Sequence, residues 1–471
     1  MNPDPSAFVA PADRRALVAI DLGAESCRVS LLRWIDGSAN IELIHRFANA
    51  PIGRNGSMLW DLPAICAGVV HGLRMCADIA TEGIRSIGVD GWAVDYVRLS
   101  PSSTGAEAMP TSGPFCYRDP RTMPAVDAIH RRMNIQQLYL RTGIQSLAIN
   151  TIYQLYADSL AGISCDTPWV TLPEYILHWL GGERVAEYTN ATHTGLVDIV
   201  TKDWSREVFE TAGLKIKAAP RIVKPGTDVG RVCGHLAKLK PFKDTRLIAP
   251  ACHDTASAIA GITAHEQDWA YISSGTWSLV GALIDTPFNS EEARQIGFTN
   301  LGAAESKICF HKNVNGMWVL KQCMEYWEQH GEPWDIAELI KQAEDIPPLD
   351  GWLDLEDGDL MLAGNMPVRI NLQRKRQGMP ALSELSGHAP EFASLIFHSL
   401  AHAYAQTLEN MKRITKKNPS CIYIVGGGSR NQLLNRLTEQ ATGIKVLCGE
   451  VESSTLGNLK LQLRTLQAAE I

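Results

Sequence analysis

The sequence lacks the features that mark several large classes of protein. Its longest basic run is Arg374-Lys375-Arg376, and the net charge is −7, so we interpret that run as a solvated loop and expect no nucleic-acid partner. No stretch approaches the roughly 20 apolar residues of a membrane span, and residues 1–15 lack the basic start and apolar core of a signal peptide. We therefore expect a cytoplasmic protein without a membrane partner.

Paired cysteines and the best-known phosphate motifs are also missing. The 11 cysteines are scattered singly, without a C-x-x-C pair, which argues against a zinc site or a disulfide framework and fits a reducing compartment. Neither G-x-x-x-x-G-K-[ST] nor G-x-G-x-x-G occurs, so any nucleotide would have to be bound by another kind of loop.

What is present indicates a globular α/β protein. Hydrophobic residues make up 45% and charged residues 20% of the 471 residues, a length that exceeds what one hydrophobic core usually supports. Short apolar runs alternate with longer helical stretches, the pattern of an α/β fold. An irregular, basic stretch ends near residue 245, and we predict two domains there, residues 1–245 and 246–471.

Two segments far apart in the chain share one pattern. IDLGAESCRVSLL (20–32) and YISSGTWSLVGAL (271–283) both read as a strand, a glycine, a small residue and a second strand. Successive backbone N–H groups in such a turn can bind phosphate oxygens, and glycine lets the ligand approach closely. Ser26 and Thr276 could add hydroxyl donors, Arg28 could add charge, and Asp21 could hold Mg²⁺ through water. Each segment is equally compatible with a plain β-hairpin.

A third glycine cluster lies between a strand and a helix, in CIYIVGGGSRNQLLNRLTEQATG (421–443). Ser429 or Asn431 can cap the helix and Gly443 can end it. Consecutive glycines there would let a flat ligand such as adenine lie against bare backbone, although a tight structural turn explains them as well.

The stretch APACHDTASAIAG (249–261) places His253 and Asp254 between an apolar strand and a helix, among residues with little bulk. A carboxylate at a helix N-terminus is favoured in its ionised form and could accept a proton from a substrate hydroxyl. An ordinary helix-capping aspartate beside a surface histidine would give the same pattern.

The order of the motifs along the chain carries a family resemblance. They are VAIDLGAESCRVSLL, VDGWAVDYV, FCYRDPRT, LRTGIQSLAINTIYQL, EYTNATHTGLVDI, CHDTASA, SSGTWSLVG, VGGGSRNQLLN and VESSTLGN, between about residues 16 and 465. Together they resemble the FGGY carbohydrate kinases, and within that family they are most similar to the rhamnulokinases. The resemblance implies two actin-like (ribonuclease H-like) α/β domains with the active site in the cleft between them.

The resemblance also implies roles for individual residues. Asp254 matches the general base. The expected contacts to the ketose are Ala93, His253, Thr255 and Asn313, together with Asp254 itself. The expected nucleotide-binding positions are Ala24, Glu25, Ser26, Cys27 and Arg28 in the first phosphate loop, Gly275 and Thr276 in the second, Lys321, and Gly427 at the adenosine.

Several positions depart from the family pattern. Ala93 stands where rhamnulokinases commonly have glycine, and Gly91 where threonine is expected. In the nucleotide site, Glu25 replaces a hydroxyl residue, Cys27 replaces glycine and Lys321 replaces glutamine. A carboxylate near a triphosphate is repulsive unless it faces Mg²⁺ or solvent, whereas a lysine could pair with phosphate.

The activity implied is transfer of the γ-phosphate of ATP, with Mg²⁺, to O1 of L-rhamnulose. The partners would then be a small ketose and ATP, and the protein would be a monomer or a dimer. Another ketose such as L-fuculose or L-xylulose, a non-catalytic sugar- or nucleotide-binding regulator, and a hydrolase using His253 and Asp254 remain alternatives. Trp92, Tyr96 and Trp277 could form apolar walls for the sugar or belong to the core.

Overall fold

A computed structural model describes residues 8–100, 110–111 and 113–470, so part of the segment examined for a signal peptide, residues 1–7, lies outside it. The strands are β1 (Ala16–Leu22), β2 (Ser26–Ile35), β3 (Ser38–Ala48), β4 (Pro51–Arg54), β5 (Ser57–Trp60), β6 (Ile84–Gly91), β7 (Tyr96–Arg98), β8 (Trp169–Thr171), β9 (Val185–Glu187), β10 (Val197–Asp198), β11 (Asp203–Trp204), β12 (Arg221–Val223), β13 (Thr227–Arg231), β14 (Arg246–Ala249), β15 (Trp269–Ser274), β16 (Trp277–Ile284), β17 (Phe298–Gly302), β18 (Ile308–Asn315), β19 (Cys421–Val425) and β20 (Lys445–Cys448). The helices are α1 (Leu62–Ile79), α2 (Met123–His130), α3 (Ile135–Thr142), α4 (Thr151–Leu160), α5 (Leu172–Trp179), α6 (Tyr188–Thr192), α7 (Arg206–Thr211), α8 (Asp254–Gly261), α9 (Glu291–Ile296), α10 (Trp318–Gln329), α11 (Ile336–Glu344), α12 (Met366–Arg376), α13 (Ala389–Thr415), α14 (Gln432–Thr442) and α15 (Ser453–Ala468).

Two six-stranded sheets carry the fold, and five strands of each share one topology. The first has the order β13-β14-β6-β1-β2-β3 and the second β17-β18-β16-β15-β19-β20. In each, an antiparallel unit of three strands (β3-β2-β1, β18-β16-β15) continues into two parallel strands (β6-β14, β19-β20). The similarity between the two glycine hairpins in the sequence is therefore part of a repeated sheet.

Burial explains why the central strands are so apolar. Every residue of β1 and of β6 is buried, as expected for strands covered on both faces, whereas β3 exposes about every second side chain at the sheet edge. One large apolar core surrounds the first sheet and another surrounds the second.

Two separate helices, α2 and α3, occupy residues 123–142. Asn134 lies at the end of the segment between these helices and caps α3. Its side chain accepts a hydrogen bond from the Gln137 N–H, and the Gln137 side chain accepts one from the Asn134 N–H. This reciprocal capping box starts a new helix at that point.

Among the described residues, α1 is the only helix long and apolar enough to cross a membrane by length and composition. Ile65, Val69 and Leu73 on one of its faces belong to the core of the first sheet. Such packing is typical of a core helix.

The last helix of the chain packs on the first sheet. The Gln462 side chain of α15 donates to the Val18 carbonyl of β1 at 3.0 Å and accepts from the Ser86 hydroxyl of β6 at 2.6 Å. The first sheet also includes β14, just past the boundary predicted at residue 245. That boundary stays a prediction, and the membership of β14 in the sheet favours a later position.

Helices α8 and α15 touch through their backbones. A Cβ on Gly457 would lie 1.7 Å from the Ser257 carbonyl oxygen, and a Cβ on Gly261 would lie 2.3 Å from that of Ser453. Both contacts involve backbone atoms, so the two helices could accommodate a side chain only by moving apart.

We expect Gly457→Ala to destabilise the protein by about 1–3 kcal/mol or more, because the added methyl overpacks this contact. The midpoint of urea unfolding, followed by far-UV circular dichroism, measures the effect. Gly387→Ala is the matched control, since a Cβ there meets nothing within 4 Å. Equal midpoints for the two variants would contradict the importance of this helix contact.

Candidate active site

Three aspartates meet where β1, β6 and α8 converge. Asp21 and Asp90 occupy paired positions near the carboxyl ends of the parallel strands β1 and β6. Asp254 is the first residue of α8, and the preceding loop is joined to the end of β6 by a hydrogen bond from the Gly91 N–H to the Cys252 carbonyl, 3.0 Å long. Strand register therefore brings together side chains that lie far apart in the sequence.

Arg28 is the cation nearest these carboxylates. Its Nη1 donates to Asp21 Oδ2 at 3.0 Å, and the Ser454 hydroxyl donates to the same oxygen at 2.9 Å. Burial raises the pKa of Asp21, and the negative charge of Asp254 raises that pKa further against the opposing effect of Arg28.

Asp90 was missed by the sequence analysis. Burial and the charge of Asp21 hold the pKa of Asp90 well above its ordinary value. Its Oδ2 accepts from Asn458 of α15 at 2.6 Å, whereas its buried Oδ1 has no partner among the described residues. A detectable signal existed: β1 and β6 each carry an aspartate near the end of an apolar strand, followed by glycine within two residues.

Asp254 directs one carboxylate oxygen, Oδ1, to its own helix. Its Oδ1 accepts from the Thr255 N–H at 2.5 Å and from the Thr255 hydroxyl at 3.2 Å. Within the described part of the chain no protein group donates to Oδ2. Solvent reaches 37% of the side chain, yet the carboxyl lies deep enough that burial raises its pKa to about 6, against the opposing effects of Thr255 and Arg28.

His253 belongs to a group of three neutral histidines. Its ring centroid lies 3.9 Å from that of His193, and its Nε2 lies 3.3 Å from Asp254 Oδ1. Burial lowers the pKa of His253 and of His311 on β18 to about 3, so the contact between His253 and Asp254 is not an ion pair at neutral pH. The Nε2 atoms of His193 and His311 are buried without a partner among the described residues.

Two further residues missed by the sequence analysis hold the loop before Asp254. Glu187, at the end of β9, accepts from the Cys252 N–H at 2.8 Å, and the Thr189 hydroxyl accepts from the His253 N–H at 3.2 Å. Burial raises the pKa of Glu187 to about 8. Both lie in the EYTNATHTG block, which the sequence analysis used only for the resemblance.

The glycine cluster after β19 packs directly on the second phosphate loop. A Cβ on Gly426 would lie 2.9 Å from the Ser274 carbonyl oxygen, and one on Gly428 would lie 2.0 Å from the Ser274 hydroxyl oxygen. A Cβ on Gly427 would meet nothing within 4 Å, so this glycine presents an open face. As predicted, Asn431 caps α14 and Gly443 ends it with φ 64°.

Helix α10 contacts both the first and the second phosphate loop. The Met317 N–H donates to the Gly275 carbonyl at 3.0 Å and that of Trp318 to the Thr276 carbonyl at 3.3 Å, so the second loop lies on the start of α10. From that helix, Lys321 Nζ reaches Glu25 Oε1 of the first loop at 3.1 Å.

The remaining residues of the first loop differ in what they can offer a nucleotide. Ala24 is half-buried against the first core. The Ser26 hydroxyl accepts from Arg46 of β3 at 3.1 Å. The Cys27 side chain is fully buried in the first core, so only its backbone could contact a ligand. This burial also explains how the turn tolerates a side chain at that position.

The predicted sugar contacts come from both sheets. Ala93 lies in the loop after β6 and is 8% exposed. Asn313 is exposed on β18, two residues beyond His311 and hence on the same face of the strand. Trp92 and Tyr96 are buried, with their polar atoms bonded to Asp95 and Asp158, and belong to the core. Trp277 is 45% exposed next to the second phosphate loop.

Comparison with known families shows which family this chain belongs to. Residues 16–261 match the model of the N-terminal domain of the FGGY family of carbohydrate kinases, and residues 270–466 match that of its C-terminal domain. The chain belongs to the FGGY family. FGGY kinases use ATP as co-substrate.

Two rhamnulokinases are among the relatives that are similar to this chain in sequence. The chain is 34% identical to the rhamnulokinase of Bacteroides thetaiotaomicron over 456 residues, covering 96% of this chain and 91% of that protein. It is 33% identical to the rhamnulokinase of Enterococcus faecalis, covering 96% and 89%.

Solved structures show the same fold. A ligand-bound xylulose kinase from Lactobacillus acidophilus superposes with a TM-score of 0.76 at 18% identity, covering 96% of this chain and 90% of that one. The glycerol kinase of Plasmodium falciparum, solved with ADP, superposes with a TM-score of 0.73 at 12% identity, covering 97% and 90%. The predicted two-domain, actin-like class fits these FGGY kinase folds.

The acidic end of β1 and β6 fits the Mg²⁺ usual for kinases. Among the described residues no group of three His, Cys, Asp or Glu side chains is arranged to hold a metal alone. Magnesium usually keeps several waters and takes one or two carboxylates together with substrate phosphates. Asp21, with the unpaired Oδ1 of Asp90 on the neighbouring strand, offers such a partial ligand set in this FGGY chain.

We expect kcat/KM for the sugar to fall about tenfold per pH unit below pH 6, because the Asp254 pKa is raised to about 6 and only the ionised carboxylate accepts a proton. Arg28 lowers that pKa, so Arg28→Gln should move the acid limb of the profile to higher pH. Arg46→Gln, which removes a cation bonded to the same loop through Ser26, should leave the limb in place. A limb that stays or moves down in Arg28→Gln would contradict this electrostatic account.

Proposed function

We propose that this chain transfers the γ-phosphate of ATP to O1 of L-rhamnulose, giving L-rhamnulose 1-phosphate and ADP. The observation that carries the proposal is the environment of Asp254: its Oδ1 is bonded to Thr255, no described residue donates to its Oδ2, and it interacts by charge with Asp21 and Arg28 at the first phosphate loop. The names of the relatives, rhamnulokinases at 33–34% identity over nearly the whole chain, support this ketose as the substrate.

The first chemical requirement is a base for a sugar hydroxyl. A free hydroxyl is too weakly acidic to attack phosphorus without losing its proton, so Asp254 would take that proton through Oδ2 as the new P–O bond forms. The Thr255 N–H and hydroxyl hold Oδ1 and so fix the direction of the other oxygen. A pKa near 6 keeps the carboxylate ionised at neutral pH and still basic enough to receive the proton.

The second requirement is that the attacking sugar oxygen and the leaving oxygen of ADP lie in line with the phosphorus atom. The negative charge on the phosphate oxygens must also be stabilised. Phosphoryl transfer depends mainly on positioning and on stabilising charge on the transferring oxygens. Backbone N–H groups of the turns at 23–26 and 274–277 would hold the phosphates, and the open face of Gly427 would receive the adenosine. Magnesium, when bound, supplies positive charge to the phosphate oxygens, and Asp21 with Asp90 are the residues that would hold it.

The third requirement is recognition of the ketose. His253, kept neutral by burial, can donate or accept a hydrogen bond with a sugar hydroxyl, and its backbone is fixed by Thr189. Thr255, Asn313 and Ala93 would complete the sugar site from α8, β18 and the loop after β6. Closure of the two domains would exclude water from the transferring phosphate.

We expect ADP release across a panel of ketoses to be fastest with L-rhamnulose and to fall at least about 100-fold in Asp254→Asn, because the amide cannot accept the proton. Sugar binding by calorimetry should persist in this variant, since the substitution is nearly isosteric.

Asp285→Asn is the matched control, because Asp285 is 72% exposed, pairs with Lys307 and follows the end of β16 that lies away from the phosphate loop. Full turnover in Asp254→Asn would show that another group is the base. Faster turnover of L-fuculose or L-xylulose would reassign the substrate, and sugar binding without turnover of any ketose would favour a regulator.

A further inference from the structure

Two of the three departures from the family pattern in the nucleotide site contact each other. Glu25 lies in the turn between β1 and β2, and Lys321 lies in the first turn of α10. The Lys321 ammonium is 3.1 Å from Glu25 Oε1, although the residues are 296 positions apart in the sequence. The contact therefore links the first phosphate loop to the helix beneath the second.

We propose that Lys321 binds nucleotide phosphate in this chain and that Glu25 is its matched positioning residue. In the free protein Glu25 neutralises and orients the ammonium, and nucleotide phosphate then takes the place of the carboxylate. The proposal rests on the proposed kinase function. It adds that Lys321 offsets the negative charge that Glu25 brings to the first phosphate loop.

Stability does not account for the pair. The side chains are 67% and 45% exposed, and ion pairs at such positions contribute only about 0–1 kcal/mol to folding. A carboxylate in a phosphate loop, moreover, repels the ligand that the loop binds. Exposure to solvent weakens that repulsion, and the ammonium of Lys321, 3.1 Å from Glu25 Oε1, opposes it further.

The position of Lys321 suits a phosphate contact. Its N–H donates to the Met317 carbonyl at 2.9 Å, and the Met317 N–H donates to the Gly275 carbonyl, so the lysine extends from the helical turn that supports the second phosphate loop. An ammonium is a compact charge with three donors. Glu325, one turn further along α10, lies 4.0 Å from the same Nζ. The shorter contact, with Glu25, is the one that nucleotide phosphate would replace.

We expect nucleotide phosphate to replace Glu25 at the Lys321 ammonium because phosphate carries more negative charge. A triphosphate carries several negative charges and forms stronger charge-assisted hydrogen bonds than a single exposed carboxylate. Glu25 would then turn toward solvent or a phosphate-bound cation. Loss of the lysine alone should be the most damaging change, because it removes a phosphate donor and leaves the glutamate unneutralised.

The test is a double-mutant cycle on the full chain, with Glu25→Gln, Lys321→Gln and the double variant. The dissociation constant of the Mg²⁺ complex of the β,γ-imido analogue of ATP is measured by calorimetry. We expect Lys321→Gln to weaken binding by about 30-fold, Glu25→Gln to tighten it about threefold, and the double variant to bind within about threefold of the original chain, whereas independent effects would leave the double variant about tenfold weaker.

Two controls separate this role from a structural one. Glu325→Gln removes the other carboxylate near the same ammonium and should change binding of the analogue less than about twofold. Adenosine, which has no phosphate, should bind all variants equally.

Rescue of Lys321→Gln by Glu25→Gln with the analogue, and not with adenosine, would support the proposal. Additive effects, or equal effects on adenosine, would overturn it. If the original chain phosphorylates a ketose while the cycle is additive, only this inference fails. If it binds no analogue at all, the proposed function fails as well.

Discussion

The site depends on one arginine that offsets a group of buried carboxylates. Burial raises the pKa of all three aspartates, and the charges of neighbouring aspartates raise the pKa of Asp21 and of Asp90 further, whereas Arg28 lowers the pKa of all three. Loss of the Arg28 charge would therefore raise the pKa of each carboxyl group. The remaining excess of negative charge is suited both to a divalent cation and to a base that must take up a proton.

The repeated sheet explains why the chain carries two matching glycine turns. Each sheet contributes one glycine turn at the end of its first hairpin, and α10 with the Gly426–Gly428 segment packs against the second turn. The first turn reaches the same place through Glu25. The residues proposed to contact the sugar, the phosphates and the adenosine thus come from different parts of the chain.

Local features were predictable from the sequence, and those that depend on strand register were not. The two glycine hairpins, the Asn431 cap and the Gly443 end of α14 follow from residues adjacent in the chain. The roles of Asp90, Glu187 and His311 require knowing which strands are neighbours. Glu25 and Lys321 were each recognised as unusual, yet only the three-dimensional structure shows that they are partners.

Helix α15 covers one face of the first sheet although it lies far from the strands of that sheet in the sequence. Leu456, Leu459 and Leu463 cover the face of the first sheet that carries Leu17 and Ala19, so a segment made late covers strands made much earlier. A chain still on the ribosome therefore keeps that apolar surface bare until residues 453–468 have emerged. The first sheet thus completes its packing only after almost all of the second sheet has been made.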